Sequence, residues 1–110
     1  MNLLRGEVWW ADLDPTRGSE IKKRRPCVIV SSDTLNRKRR TVVVVPLSTS
    51  PVVRPPLTIA VLAGGRPAVA VIDQIRATAK ERFAKRTGAL TSAEMEAIEE
   101  GIRQVLAMGR

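Results

Sequence analysis

The sequence predicts a small, mostly β barrel closed by a single C-terminal helix. Three observations carry that prediction. Short apolar or β-branched runs recur along residues 3–90, each bounded by Gly, Pro, Asp or Ser. Residues 91–110 switch to helical spacing behind a capping signal. The length of 110 residues suits one domain spanning 1–110 and is too short for two.

The elements follow in order. Residues 7–13 form a mixed apolar run between Gly6 and the pair Asp14-Pro15, which reads as a first strand. Residues 14–25 combine the turn formers Asp14, Pro15, Gly18 and Ser19 with a basic cluster and show no periodicity. They predict a long loop, of a length that in compact domains tends to carry function. A short buried strand at 27–31 and a helical turn at 32–36 come next. Residues 41–47 are β-branched almost throughout and predict a strand buried on both faces. The hydroxyl- and proline-rich stretch 48–56 is a loop. Residues 57–63 and 68–74, joined across Gly64-Gly65, read as paired strands, with 75–78 extending the second. One helical turn is predicted at 80–85 and a last short strand at 86–90. Thr91-Ser92-Ala93-Glu94 is a capping box, and Met95, Ile98, Ile102, Val105 and Leu106 then recur at helical spacing, so one face of this helix packs on the sheet.

Two absences narrow the chemistry. The chain has no histidine, so a Ser-His-Asp triad is excluded and any hydrolase must use carboxylates, hydroxyls, Lys or Arg. Its single cysteine, Cys27, allows neither an internal disulfide nor a cysteine-rich zinc site, as suits a reducing compartment; no metal or other cofactor is expected. The longest apolar run lies within residues 42–47, far short of the roughly 20 needed to cross a membrane. The N-terminal residues lack the pattern of a signal peptide. The expected compartment is the cytoplasm.

The charge is unevenly spread. Against a total of 19 Lys and Arg and 11 acids, residues 1–90 hold 17 basic and 7 acidic side chains, while residues 91–110 are net acidic. Such a basic body attracts polyanions. Two clusters, Lys22-Lys23-Arg24-Arg25 and Arg37-Lys38-Arg39-Arg40, hold eight of the positive charges and are expected in loops. They read either as solvated, solubilising loops or as a groove that tracks phosphates, and their strong combined field beside buried strands favours the groove.

Single residues add detail. Trp9 and Trp10 are adjacent, so in a strand they face opposite ways: one belongs in the core, and the other needs cover from a loop, the terminal helix or another subunit. Arg25 precedes Pro26, which confines it to an extended conformation and fixes its direction. It can either pair with Glu20 or Asp73 or offer its fork to a phosphate and stabilise charge developing on phosphorus. Ser48-Thr49-Ser50, at the end of the buried strand, either cap a turn or project hydroxyls into a groove. Asp73, inside an apolar run, needs a partner or a wet cavity and reads either as half of an ion pair or as a catalytic carboxylate.

The blocks RGEVWWADLDPTRGSE, RRPCVIVSS with Asn36 after it, VVVVPLSTS and DQIRA, in this order over nearly the whole chain, resemble the MazF/PemK (Kid) toxins of bacterial toxin–antitoxin systems. The resemblance implies an SH3-like β-barrel and a homodimer. It also implies a sequence-specific, metal-independent endoribonuclease. Such an enzyme cuts single-stranded RNA by 2′-hydroxyl attack, leaving a 2′,3′-cyclic phosphate and a 5′-hydroxyl. The implied partner is a MazE-like antitoxin whose extended acidic segment occupies the RNA groove. Residue by residue, the resemblance makes Arg25 the stabiliser of the transition state, Ser48 or Thr49 the catalytic hydroxyl, and Asp73 the general base, with Glu20 assisting. Lys22, Lys23, Arg24, Arg37, Arg39, Arg40, Gln74 and Arg76 are then the RNA-binding residues. The chain departs from the pattern in carrying Ser48 where most relatives place threonine, Ser19 where the Kid-like branch has histidine, and Val71 where that branch has arginine.

Two rival readings share this fold. CcdB-type toxins inhibit DNA gyrase without catalysis, but they depend on a tryptophan near the C-terminus, and residues 106–110 contain none. An RNA-binding module with a decayed site is the other, motivated by Ser48 and the missing histidine.

Overall fold

The β-branched run at 41–48 forms β3 (Thr41–Ser48), and the other strands are arranged around it. The computed structural model describes residues 2–13, 24–50 and 52–109. Before β3 come β1 (Glu7–Asp12), β2 (Arg24–Ile29) and the short helix α1 (Asp33–Lys38). After it come β4 (Thr58–Ala63), β5 (Arg66–Val71), β6 (Arg76–Ala79), β7 (Phe83–Ala89) and α2 (Ser92–Val105). Two 3-10 turns, Ile72–Gln74 and Lys80–Arg82, interrupt the second half. The strands pair antiparallel in the order β4-β5-β3-β2-β1-β7, with β6 also on β3. β4 and β7, the two ends of that path, come back into contact and curl the sheet towards a barrel.

The sheet buries both of its faces, as the run of branched residues predicted. Val8, Val28, Val45, Leu47, Ala70 and Ile72 face one cluster, which α2 covers with Met95 and Ile98. Trp9, Ala11, Cys27, Ile29, Val42, Val44 and Phe83 face the other. Each fully buried aliphatic side chain adds roughly 1.5–3 kcal/mol of hydrophobic stabilisation. Trp9 meets Phe83 edge to face at 6.4 Å between ring centroids, and its indole N–H donates to Glu7 Oε1 at 3.0 Å. Trp10 points the other way and stays exposed, opposite Pro26 and Lys85 in the ladders; α2 does not cover it.

The capping box forms as the sequence predicts. The Glu94 amide donates to Thr91 Oγ1 at 3.1 Å, and the Thr91 amide donates to Glu94 Oε1 at 2.8 Å. The second Glu94 oxygen accepts from the Leu62 amide of β4 at 2.7 Å, tying the helix to the sheet edge. Gly101 lets α2 approach the turn at Ile72, because a Cβ there would stand 3.2 Å from Ile72 Cγ1 and 3.2 Å from the Pro56 carbonyl.

Several expectations are corrected. Asp73 and Gln74 are not in a strand. Val44 stands opposite Arg76 and Leu47 opposite Ala70, so three steps along β3 are matched by six along the β5–β6 segment, and the excess is taken up by the turn Ile72–Gln74. Asp73 is therefore exposed there and carries no burial cost. Neither basic cluster is wholly in a loop: Arg24 and Arg25 open β2, and Arg37 and Lys38 close α1, where cations complement the helix dipole. The helical turn expected at 80–85 is only Lys80–Arg82, and β7 begins at Phe83. Leu106 caps α2 and is exposed rather than packed. The buried residue of α1 is Asn36: its amide donates to the Ser31 carbonyl at 3.0 Å and its Oδ1 accepts from the Ser31 hydroxyl.

Candidate active site

The site is built by strand alternation and register. On β3, Val42 and Val44 face the Cys27 cluster, so Pro46 and Ser48 face the same way. On β2, Cys27 and Ile29 face that cluster, and so does Arg25. The recorded pairs of β2 and β3 are Ile29 with Val44, Val28 with Val45 and Cys27 with Pro46, so Arg25 and Ser48 each lie two residues beyond the last pair. The guanidinium and the hydroxyl thus share one face at the open end of the β2–β3 pair. Pro26 holds the backbone of Arg25 extended, as the sequence suggested.

Ser48 is half-buried, and its Oγ accepts from the Ser50 amide at 3.1 Å. That bond fills an acceptor position and leaves the hydroxyl proton free to be donated. The hydroxyl-rich segment therefore both caps a turn and projects a hydroxyl. Thr49 diverges from Ser48: with Ser50 and Val53 it forms one wall of a cavity of about 370 Å³. Its floor is largely apolar, made by Ala60, Leu62, Pro67 and Val69, and Glu94 also lines the cavity. Val69 is the residue paired with Ser48 on β5, so the cavity begins one strand from that hydroxyl. The sequence reading missed this floor; its signal was the alternation in β4 and β5, whose other face fills the core.

Arg76 opens β6 opposite Val44 and so faces the Arg25 side of the sheet. Burial pushes the Cys27 thiol up to about 12, while the positive charge of Arg76 pulls it the other way. Asp73 and Gln74 lie beside β3 on the turn that leads into Arg76. Among the described residues the ion pairs are Arg5 with Glu99, Arg86 with Glu7 and Arg103 with Glu100. Arg24, Arg25 and Arg76 are in none of them, and the pairing of Arg25 with Asp73 is not made. Glu20, Lys22, Lys23 and Ser19 lie outside the described residues.

The second basic cluster stands elsewhere. Arg37, Arg39 and Arg40 precede Thr41, at the far end of β3 from Ser48, roughly 23 Å away at about 3.3 Å per strand residue. Within one chain these arginines do not converge on Arg25. Among the described residues no three metal-ligating side chains stand together, and no helix is long and apolar enough to cross a membrane.

A family model described as the PemK-like, MazF-like toxin of type II toxin–antitoxin systems matches residues 4–106. The chain belongs to this family. Endoribonuclease MazF9 of Mycobacterium tuberculosis is 33% identical over 108 residues, covering 90% of this chain and 92% of that one. The endoribonuclease toxin MazF of Escherichia coli K12 is 30% identical over 102 residues, covering 92% and 91%. Among solved structures, an endoribonuclease in complex with its cognate antitoxin from a mycobacterial species superposes with a TM-score of 0.77 at 28% identity, over 100% of this chain and 99% of that one. The MazE–MazF complex of Deinococcus radiodurans, at 18% identity and a TM-score of 0.84 over 99% of this chain and 100% of that one, shows that this PemK/MazF-family chain has the MazF fold.

Proposed function

We propose that this PemK/MazF-family toxin is a cytoplasmic, metal-independent endoribonuclease that cuts single-stranded RNA through the ribose 2′-hydroxyl. The observation that carries the reading is Arg25, free of acidic partners among the described residues, on the sheet face that strand alternation gives to Ser48 as well, each two residues beyond the Cys27–Pro46 pair. It stands in a chain whose relatives are named endoribonucleases.

In the reaction the 2′-oxygen attacks the adjacent phosphorus, the bond from phosphorus to the 5′-oxygen breaks, and the products are a 2′,3′-cyclic phosphate and a 5′-hydroxyl. Negative charge builds on the non-bridging oxygens in the transition state. Arg25, always protonated and fixed in direction by Pro26, stabilises that charge with its planar fork. Its high proton affinity makes it a poor acid, so its role is electrostatic. The Ser48 hydroxyl, its oxygen engaged by the Ser50 amide, donates to a phosphate oxygen or to the attacking 2′-oxygen. Asp73 or Glu20 takes the 2′-proton, and water protonates the leaving 5′-oxygen. Ser48 fits the catalytic hydroxyl better than Thr49, which belongs to the cavity wall. The apolar cavity floor beside Ser48 suits the flat face of an unstacked base, the form in which single strands are read.

The excess of basic side chains in residues 1–90 suits both RNA and an acidic antitoxin segment that would fill the same groove. The working unit is a homodimer. Arg24 and Gln74 hold the strand near the cut, and Lys22 and Lys23 add to the charge that binds RNA. Arg37, Arg39 and Arg40 reach only more distant phosphates. The test is to incubate purified protein with long single-stranded RNA in EDTA and map the new 5′ ends. Cleavage at a short recurrent motif with 5′-hydroxyl ends is the expected result; intact RNA, or cutting only when metal is added, overturns the proposal.

A further inference from the structure

Ser48, Val69 and Ala60 form one row across β3, β5 and β4: Ser48 pairs with Val69, and Val69 with Ala60. Residues directly opposite in an antiparallel pair point the same way. Two residues further along, Leu62 pairs with Pro67 on this face, while Val61 and Ala68 between the two pairs turn into the core. The cavity floor is therefore an apolar platform two strands wide, laid beside the Ser48 hydroxyl. Strands are about 4.8 Å apart, so one nucleotide bridges the distance from a phosphate at Ser48 to the middle of the platform. Among the described residues the polar side chains that line the cavity are Thr49 and Ser50, which follow β3, and Glu94 in the first turn of α2.

Glu94 is held in place from three sides. Its Oε1 accepts from the Thr91 amide at 2.8 Å and the Thr91 hydroxyl at 3.1 Å, and its Oε2 accepts from the Leu62 amide at 2.7 Å. A carboxylate offers about four acceptor positions, so one is left among the described residues, on Oε2. That acceptor is anionic. It repels a phosphate or an acidic side chain and favours a neutral group that donates a hydrogen bond. An apolar platform with one fixed anionic acceptor at its edge thus suits a base better than the acidic segment of an antitoxin.

We infer that this cavity selects the base beside the cut by its exocyclic amino group, which donates to Glu94 Oε2, so that adenine, cytosine and guanine are admitted and uracil is rejected. The Watson–Crick donor of uracil, its N3–H, stands between two carbonyl oxygens, which meet the carboxylate lone pair against lone pair. An amino group projects beyond the ring edge and reaches the acceptor first. The Thr49 and Ser50 hydroxyls can each donate or accept and so serve the remaining edge of any of the three bases. The inference rests on the proposed RNA cleavage and on a base in this cavity; it makes Glu94 a specificity residue and not a catalytic one.

The experiment uses full-length protein and oligonucleotides in which the bases flanking the mapped cut are varied one at a time. One position should disfavour uracil by about 10–100-fold in kcat/KM, as expected for losing a hydrogen bond to a charged group. At that position an amino-free analogue should lose about as much: purine for adenine, hypoxanthine for guanine or 2-pyrimidinone for cytosine. This series needs only the wild type. Glu94→Gln, which replaces the anion by an amide, should bring uracil to within about threefold of the preferred base. Ala60→Phe, at an exposed position, fills the platform and should erase the preference at that position alone. Thermal melts confirm that both variants are folded. Equal cutting with uracil at every flanking position, unchanged cutting of the analogues, or a Glu94→Gln loss equal for all bases overturns the inference. So do variants that keep every base preference and weaken only antitoxin binding, which would give the cavity to the protein partner. If the wild type cuts no RNA, the cleavage proposal fails and binding still tests the cavity. Oligodeoxyuridylate should then bind more weakly than oligodeoxycytidylate, with the gap closed in Glu94→Gln, and equal wild-type binding overturns the inference.

Discussion

The β2–β3 pairing, which ends at Cys27 with Pro46, leaves Arg25 and Ser48 each two residues beyond its last pair, and strand alternation puts both on the sheet face that packs the Cys27 cluster. Period-two alternation makes this pairing sensitive to register: a slip of one residue would turn either side chain to the other face. The buried Ser31–Asn36 pair guards against slippage, since the Ser31 hydroxyl oxygen also accepts from the Val43 amide at 2.9 Å. The hydroxyl at the end of β3 and the arginine at the start of β2 are thus set by the same strand pair.

This geometry separates the two neighbouring hydroxyls. Ser48→Ala should lower kcat by about 10²–10³-fold, the size of losing one transition-state donor, and Thr49→Ala by less than about tenfold, mostly through KM. Single-turnover cleavage of a defined oligonucleotide measures both. A larger kcat loss for Thr49→Ala transfers the catalytic hydroxyl to that residue.

Two carboxylates tie stability to pH. Burial pushes Glu7 up, but hydrogen bonds from the Trp9 indole, the Leu4 amide and Arg86 outweigh it and hold its pKa below 4.5. Burial likewise pushes Glu94 up, and the Thr91 and Leu62 amides with the Thr91 hydroxyl bring it below 4.5. A carboxylate depressed in the folded state contributes stability above its unfolded pKa and loses it as pH falls through the folded value. Melting temperature should therefore fall from about pH 5 downward. Glu94→Gln should be less stable than wild type at pH 7, with the difference narrowing at pH 3.5. A constant difference across that range contradicts the assignment.

Gly101 tests the packing of α2. Alanine is favoured over glycine in a helix by about 1 kcal/mol. A Cβ at 3.2 Å from both Ile72 Cγ1 and the Pro56 carbonyl costs about 1–3 kcal/mol by overpacking. Gly101→Ala should lower the urea midpoint, and a raised midpoint would show that the turn can yield.

Cys27 should be chemically silent. Burial holds its thiol protonated, with a pKa of about 12, so a thiol reagent at pH 8 should react with the native protein far more slowly than with the urea-unfolded chain. Equal rates would mean that the strand pair beneath the site opens readily.

Much of this arrangement was legible in the residues because it is written in local signals. The capping box at Thr91, the branched run of β3 and the Gly64-Gly65 connection each act over a few residues. Asp73 was misplaced because its turn arises from a mismatch between the pairings of β5 and β6 with β3, a long-range relation that an apolar run does not reveal. The separation of Arg37, Arg39 and Arg40 from Arg25 has the same origin: both clusters flank buried strands, but which end of β3 each one meets depends on topology. Asn36 was visible as part of a motif, yet its burial on the inner side of α1 depends on the Ser31 side chain that meets it.

The most direct test of the central claim compares wild type with Arg25→Ala on single-stranded RNA in EDTA, mapping the ends of every product. The account predicts wild-type cutting to 2′,3′-cyclic phosphate and 5′-hydroxyl termini, and at least about a 10²–10³-fold loss of rate for Arg25→Ala with its melting temperature unchanged. Cleavage by Arg25→Ala at the wild-type rate, or products ending in 5′-phosphate, would contradict it.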